Sequence, residues 1–143
     1  MIQLKSKREL EKMREAGRHV GEILQRLGEL AKPGVTTAEL DRVAHAEIRA
    51  RKLESSFLGY APGDNPPFPA VICASVNEEI VHGIPGGRRL VEGDLLKIDF
   101  GAICDGFHAD AAITVPIGEV DEESRRLVST TLSSLYAGVE QMA

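Results

Sequence analysis

The sequence predicts an α+β fold in which helices back an antiparallel sheet. Three observations lead there. Apolar residues recur at helical spacing near both ends of the chain. A short, β-branched apolar run lies in the middle. An Asp-Gly pair separates two alternating segments between residues 95 and 115. Composition agrees with a single globular domain: 143 residues, 43% hydrophobic and 27% charged. A chain of this length buries about 70% of its unfolded surface. With 4% aromatic residues and no Trp, the core must be aliphatic. A net charge of −5 argues against binding a phosphate backbone.

Ser6-Lys7-Arg8-Glu9 reads as a capping box that starts the first helix. Its stripe runs through Leu10, Met13, Ala16/Gly17, Val20, Ile23/Leu24, Leu27 and Leu30/Ala31, and Lys32-Pro33-Gly34 stops it. Thr36-Thr37-Ala38-Glu39 is a second capping box, and Leu40, Val43, Ala44, Glu47 and Ile48 continue a shorter helix to about Arg51. His19 and His45 fall in these helices without an acidic or cysteine partner at ligand spacing, and are read as structural or exposed. Four prolines and a glycine between residues 61 and 69 forbid helix and predict an ordered loop. Residues 70–76 predict a buried strand, and residues 81–87 a second loop. Asp121-Glu122-Glu123 caps a last helix, with Leu127/Val128, Thr131/Leu132, Leu135/Tyr136 and Val139 as its stripe. It runs to Ala143 without an exit signal, so the chain reads as part of a longer protein.

Asp105-Gly106 is a strong two-residue hairpin signal, and it sets Cys104 opposite Phe107. One face of the hairpin then carries Leu96, Ile98, Phe100, Ala102, Phe107, Ala109, Ala111, Ile113 and Val115, and should be core. The other carries Lys97, Asp99, Gly101 and Ile103 with His108, Asp110, Ala112 and Thr114. Asp110 lies opposite Gly101, which leaves it room, and Asp99 is its diagonal neighbour at about 7–8 Å between Cα atoms. Spacing leaves two readings open. The aspartates are solvated residues on an open face, Asp99 with Lys97 as its partner, or they grip cations between them. A partly buried carboxylate in the apolar run Leu95-Leu96-Lys97-Ile98-Asp99-Phe100 needs such compensation.

Five linked segments go further. They are Glu11-Lys12-Met13-Arg14-Glu15-Ala16-Gly17-Arg18, Lys32-Pro33-Gly34-Val35-Thr36-Thr37-Ala38-Glu39-Leu40-Asp41, Val81-His82-Gly83-Ile84-Pro85, Gly93-Asp94-Leu95-Leu96-Lys97-Ile98-Asp99-Phe100-Gly101 and Asp105-Gly106-Phe107-His108-Ala109-Asp110. In order and spacing they resemble the amino-terminal half of type I methionine aminopeptidases. The resemblance covers essentially the whole chain. It implies the pita-bread fold, with residues 1–143 as the first half of one catalytic domain and the carboxy-terminal half missing. It also implies two divalent cations (Co, Mn, Fe or Zn), with Asp99 chelating one and Asp110 bridging both.

On the same resemblance, His82 contacts substrate and assists proton transfer or the tetrahedral intermediate; the residue itself reads equally as a loop histidine bonded for structure. Tyr60, Phe68 and Cys73 resemble the wall of a methionine pocket. Phe57 stands where a cysteine often occurs, Phe68 where a tyrosine often occurs, and the proline loop is slightly longer than usual. Packing alone also explains these residues, Cys73 above all. No role is assigned to Cys104 or His108.

The implied activity is removal of the initiator methionine ahead of a small second residue, by a hydroxide activated between two metals. The implied partners are nascent polypeptide N-termini, with the ribosome as a further candidate, and neither nucleic acid nor membrane. Two cysteines without a framework, no run of roughly 18 apolar residues and no signal-peptide core at the start point to the cytoplasm. One histidine and two glutamates of the family's metal site, and a second catalytic histidine, belong to the other half. This chain alone is therefore expected to bind metal weakly and to be inactive, the whole protein being monomeric. Two alternatives stand beside this: a non-catalytic half-length relative that binds a peptide or protein and self-associates, and an Xaa-Pro dipeptidase-like hydrolase.

Overall fold

Ser6 and Thr36 open two helices by the same device. In each, the hydroxyl accepts the backbone N–H three residues on, and that residue's glutamate accepts the cap's own N–H at 2.7 Å. Helix α1 spans Lys7–Leu30 and α2 spans Thr37–Arg51. Lys52, in left-handed conformation, closes α2. The strands are β1 (Glu54–Ser55), β2 (Ile72–Val76), β3 (Leu95–Cys104) and β4 (Phe107–Pro116), and α3 (Glu122–Glu140) follows. The structure, a computed structural model, describes residues 4–142. No helix among them is long and apolar enough to cross a membrane.

The sheet is organised around β3. One edge pairs antiparallel with β4 along its whole length, and the other pairs with β2 and then β1 in tandem. Asp105 and Gly106 both have positive φ, as a tight two-residue turn of matching twist requires. The register is the expected one: Cys104 opposite Phe107 and Gly101 opposite Asp110. The two-residue β1 was not signalled by periodicity, being too short to alternate.

Leu96, Ile98, Phe100 and Ala102 form the buried face of β3, against Val20, Ile23, Leu24 and Leu27 of α1 and Leu40, Ala44 and Ile48 of α2. Gly28 lets α1 lie close to β4. A Cβ there would sit 3.2 Å from Ile113 Cδ1.

Four expectations need correction. The face expected to be wholly core is only half covered on β4, where Ala111 is exposed, because this strand has no neighbour on its outer edge among the described residues. Leu10 and Met13, expected in the buried stripe, remain about two-fifths exposed, at 40% and 38%. Lys12 Nζ already lies 3.7 Å from Asp105 at the hairpin tip, so the first turns of α1 reach past the sheet. Helix α3 stops at Glu140 and buries none of its residues; Leu132 and Leu135 are 52% and 60% exposed, since among the described residues no other element packs extensively along it. The expected end at Ala143 lies outside the described residues.

The fourth concerns the two histidines. His19 and His45 do have acidic neighbours one turn back, Glu15 at 3.4 Å and Asp41 at 3.7 Å. His19 joins Arg51, Glu22 and Glu47 in a polar seam between α1 and α2, while Asp41 Oδ1 accepts the Val71 N–H at 2.9 Å. Both histidines are structural, as expected.

Leu27 is fully buried where α1 meets the sheet. Leu27→Ala is expected to lower stability by about 3 kcal/mol, read from the urea midpoint at unchanged slope.

Candidate active site

Period-two alternation on three strands aims side chains at one side of the sheet. Asp99 pairs with Cys73 on β2 and Ala112 on β4, and Asp110 pairs with Gly101. Gly101 matters because three groups converge on it. A Cβ at that position would lie 2.8 Å from Phe57 Cε1, 3.0 Å from Ser56 Cβ and 3.2 Å from Asp110 Oδ2. The room expected across from Asp110 is therefore there, and the loop after β1 uses it too. Lys97 does not partner Asp99. Its ammonium donates to the Asn77 carbonyl at 2.6 Å, because the turn after β2 lies within its reach.

His82 arrives from a loop pinned to β2. The Ala74 N–H donates to the Gly83 carbonyl at 2.8 Å, and the Gly83 N–H donates to the buried Ser75 hydroxyl at 3.0 Å. A Cβ on Gly83 would fall 2.5 Å from the Ala74 carbonyl oxygen, which is backbone and cannot give way. His82 itself sits at φ 60°. The His-Gly pair is thus a packing requirement as well as a motif: the glycine docks the loop and the histidine is held beside the aspartates.

The third wall is the proline loop. Gly59 N–H donates to the Phe68 carbonyl (2.9 Å) and Phe68 N–H to the Tyr60 carbonyl (2.8 Å), which closes residues 61–67 into an excursion. Ser55 Oγ accepts the N–H groups of Phe57 and Leu58, and the Phe57 and Phe68 rings meet edge to face at 6.5 Å.

These walls enclose a cavity of about 650 Å³. His82, Asp99, Asp110, Phe57, Tyr60, Phe68 and Cys73, all the residues expected at the site, line it together. Sequence reasoning did not assign Ser56, Asn65, Ile84 or His108, which line it as well. His108 carried a signal: it has the parity of Asp110, two residues away. Ser56 carried none, since the pairing that brings it in belongs to β1.

Burial pushes the Asp99 carboxyl up from its ordinary 3.8 to about 6. The charge of Asp110 and a hydrogen bond with it add to the rise, while His82 and the Phe100 N–H oppose it. The Cys73 thiol is pushed up to about 11, first by burial and then by Asp99 and Asp110. Two crowded carboxylates are hard oxygen donors, and a divalent cation between them would relieve their repulsion. Among the described residues, however, no group of three His, Cys, Asp or Glu side chains is placed to hold an ion. The pair fits part of a ligand set, not a closed site.

The sequence pattern of metallopeptidase family M24 matches residues 11–143. The chain belongs to this family. A methionine aminopeptidase of Clostridium acetobutylicum is 48% identical over 142 residues, covering 99% of this chain and 55% of its own length. Methionine aminopeptidase 1 of Bacillus subtilis is 44% identical over 141 residues, with the same two shares. The crystal structure of a methionine aminopeptidase from Thermotoga maritima superposes with a TM-score of 0.89 at 33% identity, over 96% of this chain and 53% of that one. The fold is thus the pita-bread fold of these proteins, and the chain spans about half the length of the relatives it matches. A prolidase from Pyrococcus horikoshii, 17% identical with a TM-score of 0.69, shares the fold.

Two outcomes follow from the site's packing and charge. Gly83→Ala is expected to cost roughly 1–3 kcal/mol in chemical denaturation and to shift the amide resonances around His82, since overpacking against backbone has no relief. The Asp99 carboxyl has a raised value in the folded state, so its ionisation opposes folding. Stability is fully present below its ordinary 3.8 and falls as pH rises through about 6. In chelated solution, Asp99→Asn is expected to melt above the parent at pH 7.5, with the gap closing below pH ~4.

Proposed function

We propose that this chain is the amino-terminal half of a metal-dependent methionine aminopeptidase domain that removes the initiator methionine when the second residue is small. The observation that carries the reading is the hairpin register, which brings Asp99 and Asp110 together on the cavity side of the sheet beside His82. The names of the relatives, and the share of their length that the chain matches, support it.

In this reading Asp99 and Asp110 would supply two of the carboxylate ligands of a divalent metal centre. When bound, the ions supply Lewis acidity to the scissile carbonyl and to an attacking water. The chain's own residues do the rest. Phe57, Tyr60, Phe68 and Cys73 take the methionine side chain, a thioether suiting aromatic and sulfur walls. His82, fixed by Gly83, is within the cavity to hydrogen-bond the reacting carbonyl or pass a proton to the leaving nitrogen. Substrates are nascent polypeptide N-termini in the cytoplasm.

Two aspartates leave a metal short of ligands, so this chain by itself binds cations weakly and turns over negligibly. The purified 143-residue protein is expected to release no methionine from Met-Ala-Ser in Mn²⁺ or Co²⁺. Joining it to the remaining half of the domain is expected to give turnover that Asp110→Asn abolishes. Methionine release by the short chain, lost in Asp110→Asn, would sink the half-site account; a joined enzyme indifferent to Asp110 would sink the aminopeptidase reading.

A further inference from the structure

The cavity contains a polar pair that the proposed chemistry does not use. His108 Nδ1 lies 3.0 Å from Ser56 Oγ, and both residues line the cavity. Ser56 is not a loose partner: its N–H donates to the Gly101 carbonyl at 3.1 Å, where β1 ends against β3. The hydroxyl therefore fixes the imidazole from the opposite wall. With Nδ1 engaged, Nε2 is the ring nitrogen left for a ligand, and no partner among the described residues takes it. His108 is exposed, so that nitrogen meets solvent at the cavity rim.

Its place along the sheet says what it would meet. Three rows cross the cavity floor in order: Cys73 with Asp99, Gly101 with Asp110, and Ile103 with His108. Successive rows are two residues, or roughly 6.8 Å, apart. A peptide whose first side chain lies against Cys73, and whose first carbonyl lies between the aspartates, has its next residues at the His108 row. Each extended residue advances about 3.3 Å, and the His108 row lies two such steps beyond the Asp110 row, so a peptide whose first carbonyl reaches Asp110 meets it with its third residue. A backbone peptide group suits the free nitrogen, because it offers both an N–H and a C=O.

Resting on the aminopeptidase reading of the cavity, we infer that His108, held by Ser56, is a substrate-contacting residue that binds the peptide backbone beyond the first residue. It contributes affinity for chain length without choosing side chains. That role suits an enzyme meeting many different polypeptides at one end.

The test uses this chain joined to the remaining half of its domain, in chelated solution, and equilibrium binding, so it needs neither metal nor turnover. Methionine amide and Met-Ala-Ser are titrated separately while the amide and His108 ring resonances are followed by NMR. The tripeptide is expected to bind the parent about tenfold more tightly than the amide and to shift the His108 ring signals, as one net hydrogen bond allows. His108→Ala is expected to erase that ratio while leaving methionine amide binding within about twofold, the lost bond being absent from that ligand. His108→Gln, which keeps a donor and acceptor near Nε2, restores part of the ratio, and Ser56→Ala reduces it by loosening the ring. An unchanged ratio in His108→Ala, or a tripeptide that leaves the ring signals still, overturns this inference alone. Failure of the parent to bind either ligand overturns the methionine-pocket reading and this inference with it.

Discussion

Two backbone conformations at one corner govern the site. Asp105 and Gly106 turn the chain with positive φ at both positions, and so fix which residue of β4 faces which residue of β3. A strand alternates faces with a period of two, so a slip of one residue would send Asp110 to the helix side and an alanine to the cavity. The spacing of two carboxylates, the repulsion that adds to burial in lifting Asp99, and the row on which His108 stands all follow from that corner. The buried face holds it there: Leu96, Ile98, Phe100 and Ala102 tolerate no other parity under α1.

Around that pair, space is made by absence of side chain. Gly101 admits Phe57, Ser56 and Asp110 to one point, and Gly83 brings its loop onto the carbonyl of Ala74. In both places the missing Cβ is a condition of close approach rather than of a turn. Ser75, buried on the strand that carries Cys73, serves as the anchor for the histidine loop, and no other polar group of β2 is as deeply covered.

Much of this was legible in the residues because the signals are local. Capping boxes announced α1 and α2 to within a residue, and Asp-Gly with its flanking alternation gave the hairpin and its face split. What escaped was non-local. Lys97 found a carbonyl on the neighbouring turn, which no intrastrand spacing discloses. The stripe on α3 is helical, as its period says, but periodicity reports only that a face is apolar, not what covers it. The two-residue β1 has no period at all, and with it Ser56 stayed hidden. The family resemblance supplied the pocket residues, and the structure brings them to one cavity, which is a statement about position; their roles rest on the proposed chemistry.

The thiol of Cys73 illustrates what such surroundings do to reactivity. Covered on β2 and facing two acids, it is held as the neutral S–H far above neutral pH. A protonated sulfur is a poor nucleophile, so at physiological pH this group is slow to alkylate or to form mixed disulfides. The cavity thereby gains a soft, oxidant-shy surface on its floor, and a covalent inhibitor aimed at that sulfur would be working against the very charges that define the site.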